Sequence, residues 1–210
     1  MHALLVLPPL NPHLEAAIRA TIDGYEAARV QNGPRDSRHR IEHIELIDRA
    51  DVPRLGALGI TASLQPSHPP GAMDFALSGM EPVAPERWKD AFLCKSLLQA
   101  GAPVCFASDW PVADVSVMRG LQAALTRKPY DDSCGDERLS RAESLYAYTA
   151  GGAWAAHLED ETGRLVPGLG ADVVVVDGDI EAIPAADLGK TGIALTVAAG
   201  RITHQAGGVG

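Results

Sequence analysis

The sequence predicts an α/β protein that ends in a small β module. From residue 14 to about residue 149, apolar runs of strand length alternate with segments whose apolar residues recur at helical spacing. That alternation is typical of parallel βαβ units. After residue 160, short strand-like segments follow one another with turn residues between them and little helix. We therefore assign residues 1–160 to the α/β unit, residues 161–206 to the β module and residues 207–210 to a tail.

The α/β unit opens with an apolar run at residues 3–7, which predicts a buried strand. Helical spacing then predicts a helix at residues 14–30 that ends at the turn Asn32-Gly33-Pro34. The predicted elements that follow are strands at 39–46, 60–65 and 103–107 and helices at 51–58, 87–100, 116–126, 139–149 and near Ala153. The Pro- and Gly-rich stretch at 66–86 has neither pattern, and so long a loop in a compact domain is usually functional. We expect it to shape a pocket.

The β module is predicted from four short segments that are rich in Val, Ile and Leu. They lie at residues 163–168, 171–177, 195–197 and 201–203, and turn residues separate them. A weak helical segment at 185–188 interrupts the series.

Composition narrows the classes of function. The 210 residues are 46% hydrophobic, which suits a globular domain. A net charge of -9 argues against nucleic acid or an anionic membrane surface as partner, because Lys and Arg clusters bind both. Three cysteines without CxxC spacing fit a reducing compartment, and the run at 3–7 is too short for a membrane span and lacks signal-peptide features. We therefore expect a cytoplasmic protein.

Three side chains that suit a hydrolytic metal site follow apolar runs. They are His43, His68 and Asp109. In a parallel α/β barrel, functional groups lie at the carboxyl-terminal ends of the strands. Two imidazoles and a carboxylate can hold a divalent ion that lowers the pKa of a bound water to about 7. Asp109 would bind the ion, accept the proton of the water and pass it to the leaving nitrogen.

Each of these residues also has an ordinary structural explanation. A histidine is often only a hydrogen-bonded structural residue, and an Asp before Trp-Pro can orient a turn. His68 could also contact a substrate. Recurrence of the three residues at the same structural position favours the site. Among their neighbours, His39 is expected behind the site or in the core, and Glu42 in a salt bridge with Arg38 or Arg40.

Several motifs, in their order and spacing, resemble the amidohydrolase superfamily, and most of all the amidohydrolase family 3 branch of N-substituted formamide deformylases. They are Arg-His-Arg-Ile-Glu-His at 38–43, Gln-Pro-Ser-His at 65–68, Ser-Asp-Trp-Pro-Val at 108–112, Gly-Arg-Leu-Val-Pro-Gly and the following Ala-Asp-Val-Val-Val-Val-Asp within 163–177, and Ala-Gly-Arg-Ile at 199–202. The resemblance extends from about residue 16 to His204.

The resemblance implies the carboxyl-terminal part of a TIM-type (β/α)8 barrel plus part of a small β-sandwich. It implies hydrolysis of a small-molecule amide or formamide-like C–N bond with one or two divalent metals, most often zinc. His43 matches the metal ligand of the sixth barrel strand, and Asp109 matches the metal-linked, catalytic Asp of the eighth. His68 matches a seventh-strand His that faces the substrate, with Gln65 and Trp110 as its neighbours in the pocket.

The sequence also departs from the pattern of that family. Members carry an early His-x-His on the first strand, a Lys or carboxylate on the fourth and a His on the fifth, but no His-x-His occurs here. His13 or His2 could replace the fifth-strand ligand. A whole barrel needs about 250 residues, so we expect a chain that is completed by an amino-terminal half or by another copy.

Three hypotheses follow. The first is a metal-dependent amidohydrolase that is incomplete as this chain alone. The second is a catalytically dead remnant or assembly subunit that keeps the scaffold. The third is an unrelated α/β enzyme in which the His and Asp residues coincide by chance.

Overall fold

A computed structural model describes residues 13–73 and 75–207. The strand expected at 3–7, the candidate ligand His2 and the end of the predicted tail lie outside the described residues.

Among the described residues, the first sheet contains three parallel strands in the order in which they occur in the chain. These are β1 (Arg40–Glu42), β2 (Thr61–Leu64) and β3 (Val104–Phe106). Ile41, Ala62 and Val104 share a register line and are buried, so this side of the sheet faces the helices. The parallel arrangement that the alternating sequence pattern predicts is therefore present.

In the part of the chain that the structure describes, six α-helices accompany the sheet. They are α1 (Leu14–Asn32), α2 (Val52–Leu58), α3 (Cys94–Gln99), α4 (Val117–Thr126), α5 (Arg141–Tyr148) and α6 (Ala150–Ala155). Helix α1 buries Leu14, Ile18 and Ile22, which recur every four residues on one face. Helix α5 starts with a capping box in which Ser140 and Glu143 bond each other's backbone N–H groups.

The helix predicted at residues 87–100 is interrupted. A 3₁₀ helix at Pro85–Asp90 ends before Ala91, and α3 begins only at Cys94. Between them, the backbone of Ala91 pairs with Leu46, and Phe92 donates its N–H to the Glu45 carbonyl at 2.9 Å. Phe92 also has a positive φ of 52°. The segment cannot be helical because its backbone is hydrogen-bonded to the chain after β1.

The carboxyl-terminal region forms a second, antiparallel sheet. Its strands are β4 (Val173–Val176), β5 (Ile193–Ala198) and β6 (Arg201–Gln205). A 3₁₀ helix at Ala185–Lys190 covers the weakly predicted helix and inserts Leu188 against Met118 and Leu121 of α4. The strand expected at 163–168 is absent from this sheet. Those residues form turns between Gly163 and Gly168, both with positive φ, and Leu165 is exposed. The domain boundary at residue 160 stays a prediction.

In the described residues, the helices are too short or too polar to cross a membrane.

Candidate metal centre

The three candidate side chains leave the sheet at the same end. His43 directly follows β1, His68 lies four residues after β2, and Asp109 lies three residues after β3. Because the strands are parallel neighbours, their carboxyl-terminal ends lie side by side. His43 and Asp109 are 66 positions apart in the sequence but are therefore neighbours in space.

The ligand atoms of the three residues all lie within 4.8 Å of one another. Asp109 Oδ2 is 3.8 Å from His43 Nε2 and 3.9 Å from His68 Nε2. Exposure of the side chains rises from 6% at His68 through 12% at His43 to 33% at Asp109. The group is thus closed on its histidine side and open to solvent at the carboxylate.

Left-handed backbone positions hold the group. His43, Ile44 and Asp109 have φ values of 70°, 50° and 59°, a region that His and Asp adopt more readily than most residues but that is strained for a β-branched residue such as Ile44. The predicted strand at 39–46 therefore ends at Glu42, where the chain turns away from the sheet. Such strain accumulates at functional sites.

Glu45 is a member of the site that the sequence reasoning missed. Its Oε1 lies 3.1 Å from His68 Nδ1 and 3.6 Å from His43 Nδ1. The contact with Glu45 raises the pKa of His43 although burial opposes the charge. Burial also opposes ionisation of Glu45, but its contact with His43 and its hydrogen bond with His68 outweigh burial and lower the pKa of that carboxyl. The sequence signal for Glu45 is only its position two residues after His43.

The arrangement fits a divalent cation. His68 Nε2 is buried and has no hydrogen-bond partner among the described residues. It faces the same space as His43 Nε2 and Asp109 Oδ2. Two imidazole nitrogens and one carboxylate oxygen form a donor set that zinc and several other divalent metals accept. A cation there would give His68 Nε2 the partner that it lacks.

The other predicted site residues differ in how exposed their side chains are to solvent. Gln65 is buried directly after β2, and its Oε1 has no hydrogen-bond partner among the described residues. Trp110 follows Asp109 and is 68% exposed. His13 occupies the exposed N-cap position of α1 without a side-chain capping bond, and it is not in the ligand group found among the described residues. The roles of Gln65, Trp110 and His13 stay predictions.

One of the two neighbours behaves as expected, since Glu42 forms an ion pair with Arg40 at 2.7 Å. His39 does not lie behind the site. It precedes β1, at the end of the strand opposite His43, and stacks on Tyr25 with ring centroids 4.2 Å apart.

A cavity of about 280 Å³ lies at the opposite end of the strands. It is lined by the segment before β1, including Asp36 and Arg38, and by Gly59 and Pro103 at the starts of the neighbouring strands. We place the candidate site at the histidines rather than in this cavity, because functional groups of parallel α/β folds lie at the carboxyl-terminal strand ends.

Comparison with known proteins identifies the family of this scaffold. The sequence model of the amidohydrolase family matches residues 12–204. The chain belongs to this family. The resemblance inferred from the motifs is thereby confirmed.

Curated relatives are much longer than this chain. Protein LONG AFTER FAR-RED 3 from Arabidopsis thaliana is 38% identical over 159 residues, which is 74% of this chain and 27% of the relative. An N-substituted formamide deformylase from Arthrobacter pascens is 28% identical over 165 residues, covering 78% of this chain and 30% of the relative. The chain spans less than a third of either protein.

Solved structures have the same fold. A metal-dependent hydrolase of Pyrococcus furiosus is 28% identical with a TM-score of 0.61, over 74% of this chain and 30% of that one. A zinc complex of an atrazine chlorohydrolase TrzN variant from Arthrobacter aurescens is 21% identical with a TM-score of 0.63, over 97% of this chain and 44% of that one. The α/β architecture is therefore that of metal-dependent hydrolases of the amidohydrolase type.

Proposed function

We propose that this chain supplies part of the active site of a metal-dependent amidohydrolase that hydrolyses a non-peptide C–N bond of a small amide or formamide. The observation that carries the proposal is that ligand atoms of His43, His68 and Asp109 all lie within 4.8 Å of one another, with Asp109 Oδ2 at 3.8 and 3.9 Å from the two Nε2 atoms. The formamide deformylase among the relatives supports the reaction class.

Three donors would hold the ion, which we expect to be zinc. His43 and Asp109 are the ligands predicted from the sequence. Nε2 of His68 has no hydrogen-bond partner among the described residues, and it lies about as close to Asp109 as Nε2 of His43 does. Both facts favour His68 as a third metal ligand over its predicted contact with the substrate. When bound, a divalent ion supplies Lewis acidity, which polarises a carbonyl and acidifies water.

The residues of the chain account for the proton transfers. Asp109 is the most exposed member of the group and has a second carboxylate oxygen, so it can accept a proton from the attacking water. It then donates that proton to the leaving nitrogen as the C–N bond breaks, and the products are a carboxylic acid and an amine. Gln65, Trp110 and the loop at 66–86 would contact the substrate around this centre.

We further propose that the three parallel strands are part of a TIM-type barrel and that β4–β6 are part of a β-sandwich. Sheet strands β1 and β3 each pair with one neighbour among the described residues, so both edges can accept further strands. The additional strands would come from an amino-terminal segment or from a second copy of the chain.

Metal analysis tests the proposal. We expect the purified protein to bind about one zinc ion per chain, and His43→Ala and Asp109→Ala to lose it. His157→Ala, which changes an exposed histidine outside the ligand group, is the matched control and should keep the metal. Equal zinc content in all four proteins would contradict the proposed site. A folded protein without zinc would favour the alternative, an assembly subunit that keeps the scaffold without catalysis.

A further inference from the structure

Glu45 lies behind the two histidines of the proposed metal site. Its side chain is 17% exposed, although it is a carboxylate on the segment that leaves β1. Among the described residues, no lysine or arginine side chain forms an ion pair with Glu45. Its polar contacts are instead with the two imidazoles.

The backbone holds Glu45 firmly in this position. Its carbonyl accepts the N–H of Phe92 at 2.9 Å, and the next residue, Leu46, pairs with Ala91. The side chains on either side of Glu45, those of Ile44 and Leu46, are buried in two separate apolar clusters. These two anchors fix the backbone on both sides of Glu45, and its side chain lies against the two histidines.

One oxygen of Glu45 faces the same ring nitrogen of both histidines. The Oε1 atom is 3.1 Å from Nδ1 of His68 and 3.6 Å from Nδ1 of His43. The opposite ring nitrogens, the two Nε2 atoms, lie 3.9 and 3.8 Å from Asp109 Oδ2. The imidazoles thus stand between two carboxylates, one on each side.

We propose that Glu45 is a positioning residue that holds both histidines in the tautomer with the proton on Nδ1. An ionised carboxylate only accepts hydrogen bonds, so a neutral imidazole facing it must carry its proton on the near nitrogen. The lone pairs of both Nε2 atoms then point toward Asp109, where a cation can use them. This inference rests on the proposed metal site and adds the group that orients its ligands.

Nuclear magnetic resonance tests the tautomers without any metal. We expect long-range ¹H–¹⁵N spectra at alkaline pH to show His43 and His68 as the Nδ1–H form. In Glu45→Ala, both should shift toward the Nε2–H form that free imidazole prefers. Glu45→Gln retains one accepting oxygen and keeps the side-chain shape, so the shorter bond to His68 should persist. Unchanged tautomers in a folded Glu45→Ala protein would overturn the inference.

Glu42→Gln is the matched control for these spectra. It removes the same charge three residues earlier in the chain, from a carboxylate that pairs with Arg40. We expect both histidine tautomers to remain as they are in the unmodified protein. An equal shift in this control would show that charge, rather than contact with Glu45, sets the tautomer, and would also overturn the inference.

Zinc affinity separates this inference from the proposed function. Loss of a carboxylate that orients a ligand typically weakens metal binding roughly 10–100-fold, so we expect that loss for Glu45→Ala, with partial rescue by Glu45→Gln. If zinc binds the unmodified protein and Glu45→Ala equally well, the metal site is supported and the positioning role of Glu45 is refuted. If the unmodified protein binds no zinc while the tautomers shift as expected in Glu45→Ala, the proposed function is refuted and the positioning role of Glu45 is supported.

Discussion

Asp109 faces two imidazole nitrogens at nearly equal distances, 3.8 Å for His43 and 3.9 Å for His68. The two histidines nevertheless differ in their surroundings, since His68 is the more buried and has the shorter bond to Glu45. A histidine that donates one ring N–H to a carboxylate and has the other nitrogen free is the usual form of a metal ligand. At the scale of single residues, His68 is therefore as good a ligand as His43.

The role of His68 can be decided by substitution. We expect His68→Ala to weaken zinc binding as much as His43→Ala does, and by more than the roughly 10–100-fold that loss of an orienting carboxylate costs. Zinc affinity would be measured by competition with a chromophoric chelator, with His157→Ala as control. Retention of zinc by His68→Ala, together with a raised KM, would restore the substrate-contacting role predicted from the sequence.

Glu143 lies on α5, outside the candidate site, and makes the stability of the protein depend on pH. Its carboxylate accepts hydrogen bonds from Lys95 at 2.6 and 2.8 Å and caps α5 through Ser140. The bond from Lys95, followed by those from Ser140, lowers the pKa of Glu143 to about 2. The unfolded chain has an ordinary glutamate pKa of about 4.3. This stabilisation is therefore fully present above pH ~4.3 and is lost as the pH falls through about 2.

Thermal unfolding at a series of pH values tests this dependence. We expect the Tm of the unmodified protein to exceed that of Glu143→Gln at neutral pH, and the difference to shrink steadily between pH ~4.3 and ~2. The exposed residue Glu161, changed to Gln, serves as control and should give a difference that varies little. A Tm difference for Glu143→Gln that is constant across the range would refute the assignment.

At the scale of elements, the close approach of α2 to the end of α3 depends on a glycine. A Cβ atom added to Gly56 would lie 2.1 Å from the carbonyl oxygen of Ala100, which is backbone and cannot move aside. By contrast, a Cβ added to Gly24 in α1 would meet nothing within 4 Å. The two glycines lie in helices of the same domain and differ in what surrounds them.

Alanine substitutions at the two glycines should have opposite effects. We expect Gly56→Ala to lower the free energy of unfolding by about 1–3 kcal/mol because the helices must separate. Gly24→Ala should raise it by about 0.5–1 kcal/mol, since alanine is the better helix former. Urea unfolding would measure both. Stabilisation by Gly56→Ala would show that α2 and α3 do not pack as the structure has them.

Local patterns predicted the elements well wherever local forces decide them. The helix from Leu14 is found nearly as its apolar spacing predicts, and Ser116 caps α4 where that helix was expected to begin. The failures have long-range causes. The break at Ala91 depends on pairing with Leu46, which is distant in the chain. Glu45 is held at the site through the same pairing, so its position two residues after His43 was not enough to predict its contact with both histidines.

At the scale of the whole molecule, an exposed apolar surface follows the edge strand β3. Trp110, Val112, Val115 and Val117 are between 47% and 68% exposed. A cluster of this kind often marks an interaction site. The chain spans less than a third of its curated relatives. Both facts support the proposal that further strands of the barrel cover this side, a contact that no pattern within this sequence alone could have specified.

The two sheets are joined by apolar packing between α4 and the 3₁₀ helix before β5. Leu188 is fully buried against Met118 and Leu121 of α4, although it belongs to the region predicted to be a separate β module. The change of pattern in the sequence predicts two units, a division that stays a prediction, and it carried no signal for the contact between α4 and Leu188. If Leu188 couples the units energetically, the two sheets should unfold together.

Truncation of Leu188 tests that coupling. We expect Leu188→Ala to cost about 2–5 kcal/mol of unfolding free energy, because it leaves a cavity between α4 and the second sheet. Leu165→Ala changes an exposed leucine of the same region and should have almost no effect. Hydrogen exchange followed by mass spectrometry would show whether protection falls in β4–β6 and α4 together. A loss confined to β4–β6, with α4 unchanged, would mean that the second sheet opens independently and that the contact at Leu188 does not transmit stability to the sheet that carries His43, His68 and Asp109.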